Sequence, residues 1–104
     1  MAKYVMVVPS SAKPGREDDY NEWYNSRHIH DICAIPGVIS GRRFDADPAS
    51  PNPVPARYLA IYEIETDDIM TVLAGMGQRA AEGNMPLSDA LDTDSAQIWF
   101  YKAQ

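Results

Sequence analysis

The segments predicted to be strands carry apolar side chains at both odd and even positions, and this feature constrains the fold most. Near the N-terminus, Tyr4, Met6 and Val8 alternate with Val5 and Val7. Successive side chains of a strand point to opposite faces of a sheet, so both faces must be covered. One layer of helices covers only one face, and a second copy of the chain would cover the other. The pattern predicts a homodimer with face-to-face sheets; the alternative is a monomer whose second face is merely rich in aromatic residues.

The succession of apolar runs and breakers predicts the element order β-α-β-β-α-β. This order is typical of a ferredoxin-like sandwich of the α+β class. A length of 104 residues leaves room for one domain, residues 1–104. The predicted elements are a strand at Tyr4–Val8 ended by Pro9, a helix at Arg16–Cys33, strands at Val38–Phe44 and Arg57–Glu65, a helix from Thr66 or Asp67 to about Gly83, and a strand at Ala96–Lys102. The proline-rich connection Asp45–Ala56 is a candidate lid.

Charge and composition argue against several classes of protein. Nine Lys and Arg against fifteen Asp and Glu give a net charge of -6, which disfavours nucleic-acid binding. No apolar run approaches the roughly 20 residues that span a membrane. Residues Met1–Pro9 lack the features of a signal peptide, and the single cysteine, Cys33, cannot form an internal disulfide. These features predict a cytoplasmic protein.

The first predicted helix carries an unusual set of polar groups on its sheet-facing side. Two phenols, an imidazole and a carboxylate in such a stripe are costly unless each finds a partner, which favours a lined cavity over a dry core. On a helical wheel this face contains Tyr20, Tyr24, His28, Asp31, Ile32 and Ile35, with Trp23 and Arg27 on its shoulder.

The spacing of His28 and Asp31 suggests acid–base chemistry. Residues three apart are neighbours on a helix, so the carboxylate can orient the imidazole. The alternatives are a surface ion pair or a histidine satisfied within the core. His30 points away from His28 on a helix and would approach the cavity rim from the Trp23 side. With one cysteine and no third histidine, no metal site is predicted.

Two consecutive stretches carry a resemblance to a known family. Residues 23–31 read WYNSRHIHD and residues 34–44 read AIPGVISGRRF. The pattern W-Y-x-x-x-H-x-x-D followed by a proline–glycine turn resembles the EthD-like branch of the dimeric α+β barrel superfamily. The resemblance implies that fold, a homodimer, and a pocket between helices and sheet in each subunit. Trp23, Tyr24, His28 and Asp31 match the motif, whereas His30 stands where proline is usual.

The superfamily contains several kinds of enzyme, so the fold does not fix the reaction. We predict a cofactor-independent lyase that decarboxylates a small aromatic carboxylic acid, or eliminates a group from it, in aromatic-compound catabolism. The alternatives are a cofactor-free monooxygenase or isomerase on a phenolic substrate, and a non-catalytic small-molecule binding protein. A haem enzyme is expected to need a longer chain.

Each candidate residue has an expected role in this lyase. The planar guanidinium of Arg57 would hold the substrate carboxylate, although Arg42 or Arg43 could also face the helices. Tyr20 or Tyr24, tuned by His28, would protonate the substrate while Asp31 orients His28. The substrate-binding residues are expected to be Trp23, Arg27, His30, Tyr62 and Trp99.

Overall fold

The structure, a computed structural model, describes all residues 1–104. An antiparallel sheet in the order β2-β3-β1-β5 carries helices on one face, and the short β4 pairs with the far end of β1. The elements are β1 Ala2–Ala12, α1 Glu17–Trp23, a π-helical turn Tyr24–His28, α2 Ile29–Cys33, β2 Val38–Asp45, β3 Tyr58–Thr66, α3 Ile69–Ala81, β4 Leu91–Asp92, a 3-10 turn Thr93–Ser95 and β5 Trp99–Lys102. We call the continuous segment 17–33 the first helix. The predicted ferredoxin-like α+β fold is confirmed.

The main difference from the prediction lies in β1, which continues through Pro9 instead of ending there. On one side, Pro9 pairs with Leu59 of β3. On the other side it has no partner in β5, because the first residue of β5, Trp99, lies opposite Val7. A proline is tolerated where no ladder hydrogen bond is required of its nitrogen. The extension lets the end of β1 pair with the unpredicted β4.

The second helix, α3, lies close to the turn that follows the first helix. Asp68 caps α3 by accepting a hydrogen bond from the Met70 N–H. The sequence predicted Thr66 or Asp67 as the cap, so the helix begins one or two residues later than expected. Gly75 permits the close approach, because a Cβ there would lie 3.0 Å from Cγ2 of Ile35. Neither helix has the length and apolar character required to span a bilayer.

The two faces of the sheet differ in what covers them. Met6, Tyr62 and Ile64 point toward the helices and are buried in the core. The opposite face, which we call the open face, carries apolar side chains from all four long strands and is not covered by the chain itself. Its central members are Val5, Val7, Phe44, Leu59, Ile61, Trp99 and Tyr101, of which Trp99 is 40% and Tyr101 61% exposed.

Candidate active site: a cluster of phenols and one imidazole

The first helix contains a π-helical turn in the middle of the sequence motif. Tyr24–His28 is the π-helical segment, and the Ile29 N–H donates to the carbonyl of Tyr24, five residues earlier. On an α-helix, residues four apart are separated by slightly more than one full turn, so a series at this spacing gradually rotates around the helix. A π-helical turn contains more residues per turn and therefore offsets this rotation. The turn therefore brings His28 back onto the line of Tyr20 and Tyr24. All three side chains are buried, and π-turns often occur at functional sites.

Phenol hydroxyls pair with one another and with the sheet beneath this helix. The Tyr24 hydroxyl lies 2.8 Å from the Tyr62 hydroxyl, and the Tyr20 hydroxyl lies 2.5 Å from the Ser10 hydroxyl. Burial raises the pKa of Tyr24 to about 12 and also raises the pKa values of Tyr20 and Tyr62. The three phenols are therefore protonated hydrogen-bond donors at neutral pH.

One guanidinium closes the β2 side of the cluster. The Arg43 Cζ lies 4.5 Å from the ring centre of Tyr24 and 5.3 Å from that of Tyr20. Its two terminal nitrogens each donate at 2.9 Å to the side-chain oxygens of Asn21 and Asn25. These contacts fix a cation against the aromatic faces. Of the two arginines that alternate in β2, Arg43 is the one that faces the helix.

His28 lies at the other end of the cluster. Its imidazole stacks on Trp23 at 4.5 Å and meets the Tyr24 ring edge-on at 4.8 Å between centres. Burial lowers the pKa of His28 to about 4, against the opposing effect of the Asp31 charge. The buried Nδ1 atom has no hydrogen-bond partner. At neutral pH His28 is therefore an uncharged imidazole that can accept or donate a proton.

Asp31 is paired with arginines and makes no hydrogen bond to His28. The Arg27 Nε donates to Asp31 at 3.1 Å, and a terminal nitrogen of Arg79 lies 3.9 Å from the other carboxylate oxygen. In this structure Asp31 acts on His28 only through its charge. The sequence motif did not reveal Arg79, which reaches Asp31 from α3.

Several other predicted site residues lie apart from the cluster. Arg57 is exposed, stacks on the outer side of Tyr58 at 5.0 Å, and lines a cavity of about 270 Å³ under the proline-rich connection. Trp99 belongs to the open face, His30 is exposed, and Arg27 is occupied by Asp31. The structure thus brings together Tyr20, Trp23, Tyr24, His28 and Tyr62 and does not join the others to them.

The cluster is packed where the sequence predicted a lined cavity. Tyr20 and Tyr62 are completely buried, and the Tyr20 ring stacks on Tyr58 with 5.0 Å between centres. The buried hydroxyls pair with one another or with Ser10, which removes most of the cost that favoured a cavity, and Nδ1 of His28 is the cluster atom that stays unpaired. Trp23 is the half-buried member, and its Nε1 donates to the carbonyl of Pro86 at 3.2 Å. Trp23 also stacks on His28 and so covers one face of the imidazole.

The low pKa of His28 makes stability depend on pH. The unfolded chain binds a proton near pH 6.5 and the folded chain near 4, so stability is full above about 6.5 and falls as the pH drops to 4. One pKa unit is worth about 1.4 kcal/mol, so this loss is about 3 kcal/mol. In urea titrations, we expect the parent to lose about 3 kcal/mol of unfolding free energy relative to His28→Gln between pH 7 and pH 4. A difference that is constant with pH would contradict the burial of a neutral His28.

No family model and no curated protein matches this sequence. Solved structures do match it at low identity. An EthD-family protein from Bacillus halodurans C-125 is 13% identical with a TM-score of 0.65, over 100% of both chains. A dimeric ferredoxin-like protein of unknown function from Thermobifida fusca YX is 10% identical with a TM-score of 0.61, over 98% of this chain and 92% of its own.

A third match is the heme-degrader MhuD from Mycobacterium tuberculosis, whose structure holds two hemes in its active site. It is 13% identical with a TM-score of 0.66, and the match covers 96% of this chain and 94% of MhuD. The expectation that a haem enzyme of this fold needs a longer chain is therefore wrong. The chain has the ferredoxin-like α+β fold of the EthD-family protein and the other dimeric ferredoxin-like proteins, as its sequence motif predicted.

Proposed function

We propose that this chain is an enzyme that moves protons on a small aromatic substrate at the phenol and imidazole cluster. The observation that carries the proposal is the buried, uncharged His28 beside the hydrogen-bonded pair of Tyr24 and Tyr62. A neutral imidazole accepts a proton at neutral pH, and phenols that stay protonated donate hydrogen bonds to an oxyanion. Trp23, the half-buried ring of the cluster, offers an aromatic face on which a flat substrate could stack.

The reaction proposed first is decarboxylation of a hydroxylated aromatic acid without a resident cofactor. His28 takes the proton of the ring hydroxyl, and the phenol pair stabilises the oxyanion that forms. The electron-rich ring carbon that bears the carboxylate is then protonated, its bond to the carboxylate breaks, and CO2 leaves as the ring becomes aromatic again. Overall, one proton from solvent replaces CO2 on the ring. Elimination of another leaving group would use the same two steps.

A second candidate is a cofactor-free monooxygenase or isomerase on a phenolic substrate. The observation that favours it is the engagement of the Arg43 guanidinium by Asn21 and Asn25, which leaves no free guanidinium among the phenols to hold a carboxylate. Deprotonation by His28 would be the first step here too. The ring would then react with dioxygen, or rearrange, instead of losing CO2.

Incubation of the purified protein with a panel of hydroxybenzoates and matching phenols, without air, tests these reactions. Mass spectrometry follows substrate loss and released CO2. Conversion with CO2 release supports the lyase, conversion without it supports elimination or isomerisation, and conversion only after air is admitted supports the monooxygenase. No conversion in either condition, with ligand-induced stabilisation, would contradict catalysis and support a binding protein.

We also propose that the functional unit is a homodimer formed through the open face. The apolar centre of this face includes Val7, Ile61 and Trp99, which pair across three neighbouring strands. A contiguous apolar surface of this kind is typically covered by a partner. The dimeric protein from Thermobifida fusca shares the fold, which supports this arrangement.

A charge in the centre of the open face should separate the subunits. Val7→Lys would place an ammonium opposite Trp99 and Ile61, where burial against a second copy would be unfavourable. We expect the parent to sediment as a dimer and Val7→Lys as a monomer in analytical ultracentrifugation. Leu87→Lys is the control, because Leu87 is 59% exposed outside the sheet. Monomeric parent protein would refute the dimer.

A further inference from the structure

The Arg43 side chain is half-buried, yet no carboxylate oxygen lies within ion-pair distance of its nitrogens. The chain has fifteen Asp and Glu residues, and three other arginines do pair with aspartates. Two neutral amides, those of Asn21 and Asn25, hold the Arg43 guanidinium instead. A partly buried cation without an opposite charge is costly, and its full charge acts on whatever lies beside it.

Tyrosine rings are what lies beside this cation. Cζ of Arg43 is 4.5 Å from the ring centre of Tyr24 and 5.3 Å from those of Tyr20 and Tyr58. A cation is attracted to the electron-rich face of an aromatic ring, and negative charge on the ring oxygen strengthens the attraction. The nearest ring, Tyr24, is hydrogen-bonded to Tyr62, so the cation acts most strongly on a member of that pair.

No other charged group faces Tyr24 at neutral pH. The titratable groups around it are Tyr20, His28 and Cys33 of the first helix, Arg43 of β2 and Tyr62 of β3. The phenols and the thiol keep their protons because burial raises their pKa values, and His28 is uncharged. Burial raises the pKa of Tyr24 as well, and the Arg43 charge opposes that rise. Arg43 is therefore the one source of positive charge at the phenol pair.

We propose that Arg43 is a positioning residue whose charge, held against the Tyr24 ring, strengthens the hydrogen bond that the Tyr24–Tyr62 pair donates to the substrate oxyanion. One hydroxyl of the pair donates to the other, which keeps its own proton for an external acceptor. Arg43 acts through the phenol and touches no substrate in this role. The inference rests on the proposed function for the oxyanion and adds the charge that stabilises it.

The effect of Arg43 can be measured with difluorotyrosine in place of Tyr24. This phenol is more acidic than that of tyrosine, so it ionises at lower pH, and fluorine NMR reports it alone. We expect Arg43→Gln to raise its pKa by about one unit or more, because a full charge a few ångströms away is lost. Arg42→Gln is the matched control and should leave the pKa unchanged, since Arg42 precedes Arg43 in β2 but lies over Phe44.

Circular dichroism and the Tm check folding, and Arg43→Met, which keeps an apolar stem against the rings, replaces Arg43→Gln if the latter unfolds. A second measurement needs no change at Arg43. Ionisation of the fluorinated phenol should shift the Cζ resonance of Arg43 in carbon NMR and leave that of Arg42 in place. An unchanged pKa in the Arg43 variant, an equal rise in Arg42→Gln, or an Arg43 resonance that does not respond would overturn the proposal.

Turnover then tests the consequence for the reaction. Arg43→Gln should lower kcat about tenfold, as one pKa unit corresponds to a factor of ten, with less change in KM. Arg43→Lys keeps the charge and should recover part of the loss. An unchanged kcat in Arg43→Gln would overturn the role in stabilising the oxyanion. The NMR readouts need no substrate, so a parent without turnover would count against the proposed function while the pKa shift still supported the action of Arg43 on Tyr24.

Discussion

The variant His28→Gln should lower kcat by a hundredfold or more while the chain remains folded. A positioned general base contributes roughly 10²–10⁴-fold to a proton-transfer step, and an amide cannot accept the proton. Glutamine also keeps a polar group beside Trp23 and Tyr24. Turnover is measured on the substrate that the hydroxybenzoate and phenol panel identifies, and the Tm reports folding. His30→Gln is the comparison variant, because His30 is exposed two residues away.

The pH dependence of the parent, measured with circular dichroism as a check of folding at each pH, distinguishes a base from a group that only packs. If His28 is the base, only the form with a neutral His28 is active, so kcat/KM should be constant above about pH 5 and fall as the pH drops through about 4. A kcat in His28→Gln within a few-fold of the parent would remove His28 from the mechanism. An equal loss in His30→Gln would instead support the role for His30 that the sequence suggested.

The fold was predictable because it depends on periodicity and breakers that the sequence displays directly. Strands with apolar residues at both odd and even positions predicted that both faces of the sheet are covered. The segment up to Cys33 contains no proline or glycine after Gly15, which predicted a helix. Pro9 misled the prediction because a proline ends a strand only where its missing N–H is needed. That condition depends on where β5 begins, which is a tertiary fact.

The site was predictable only where its members share one helix face. Tyr20, Tyr24 and His28 repeat at four-residue intervals, so the stripe is visible in the sequence. The π-turn that aligns them has no sequence signature, and the helical wheel assumed a uniform period. Arg43 and Arg79 lie on other elements. Strand alternation decides that Arg43 faces the helix, and the position of α3 decides that Arg79 reaches Asp31. Arg79 did carry one signal, as the lone cation of an acidic segment.

The substitution Gly41→Ala should destabilise the chain and disturb the site together. Gly41 pairs with Tyr62 across β2 and β3, and a Cβ at Gly41 would lie 2.8 Å from two carbons of the Tyr62 ring and 3.1 Å from the Cys33 sulfur. Tyr62 is completely buried and hydrogen-bonded to Tyr24, so its ring cannot swing aside freely. Overpacking of this kind costs about 1–3 kcal/mol. The shifted ring would also break the Tyr24–Tyr62 hydrogen bond, to which we assign stabilisation of the oxyanion.

We expect the Tm of Gly41→Ala to fall by about 4–8 °C for each kcal/mol lost, with turnover reduced at temperatures where the variant is folded. Gly77→Ala is the matched control, because a Cβ at Gly77 in α3 meets no atom within 4 Å. There the same change should raise stability by about 0.5–1 kcal/mol, since alanine favours a helix. A Tm for Gly41→Ala at or above that of the parent would show that the Tyr62 ring moves at little cost. In that case the Tyr24–Tyr62 pair would not be held rigidly enough to serve as a preorganised donor for the oxyanion.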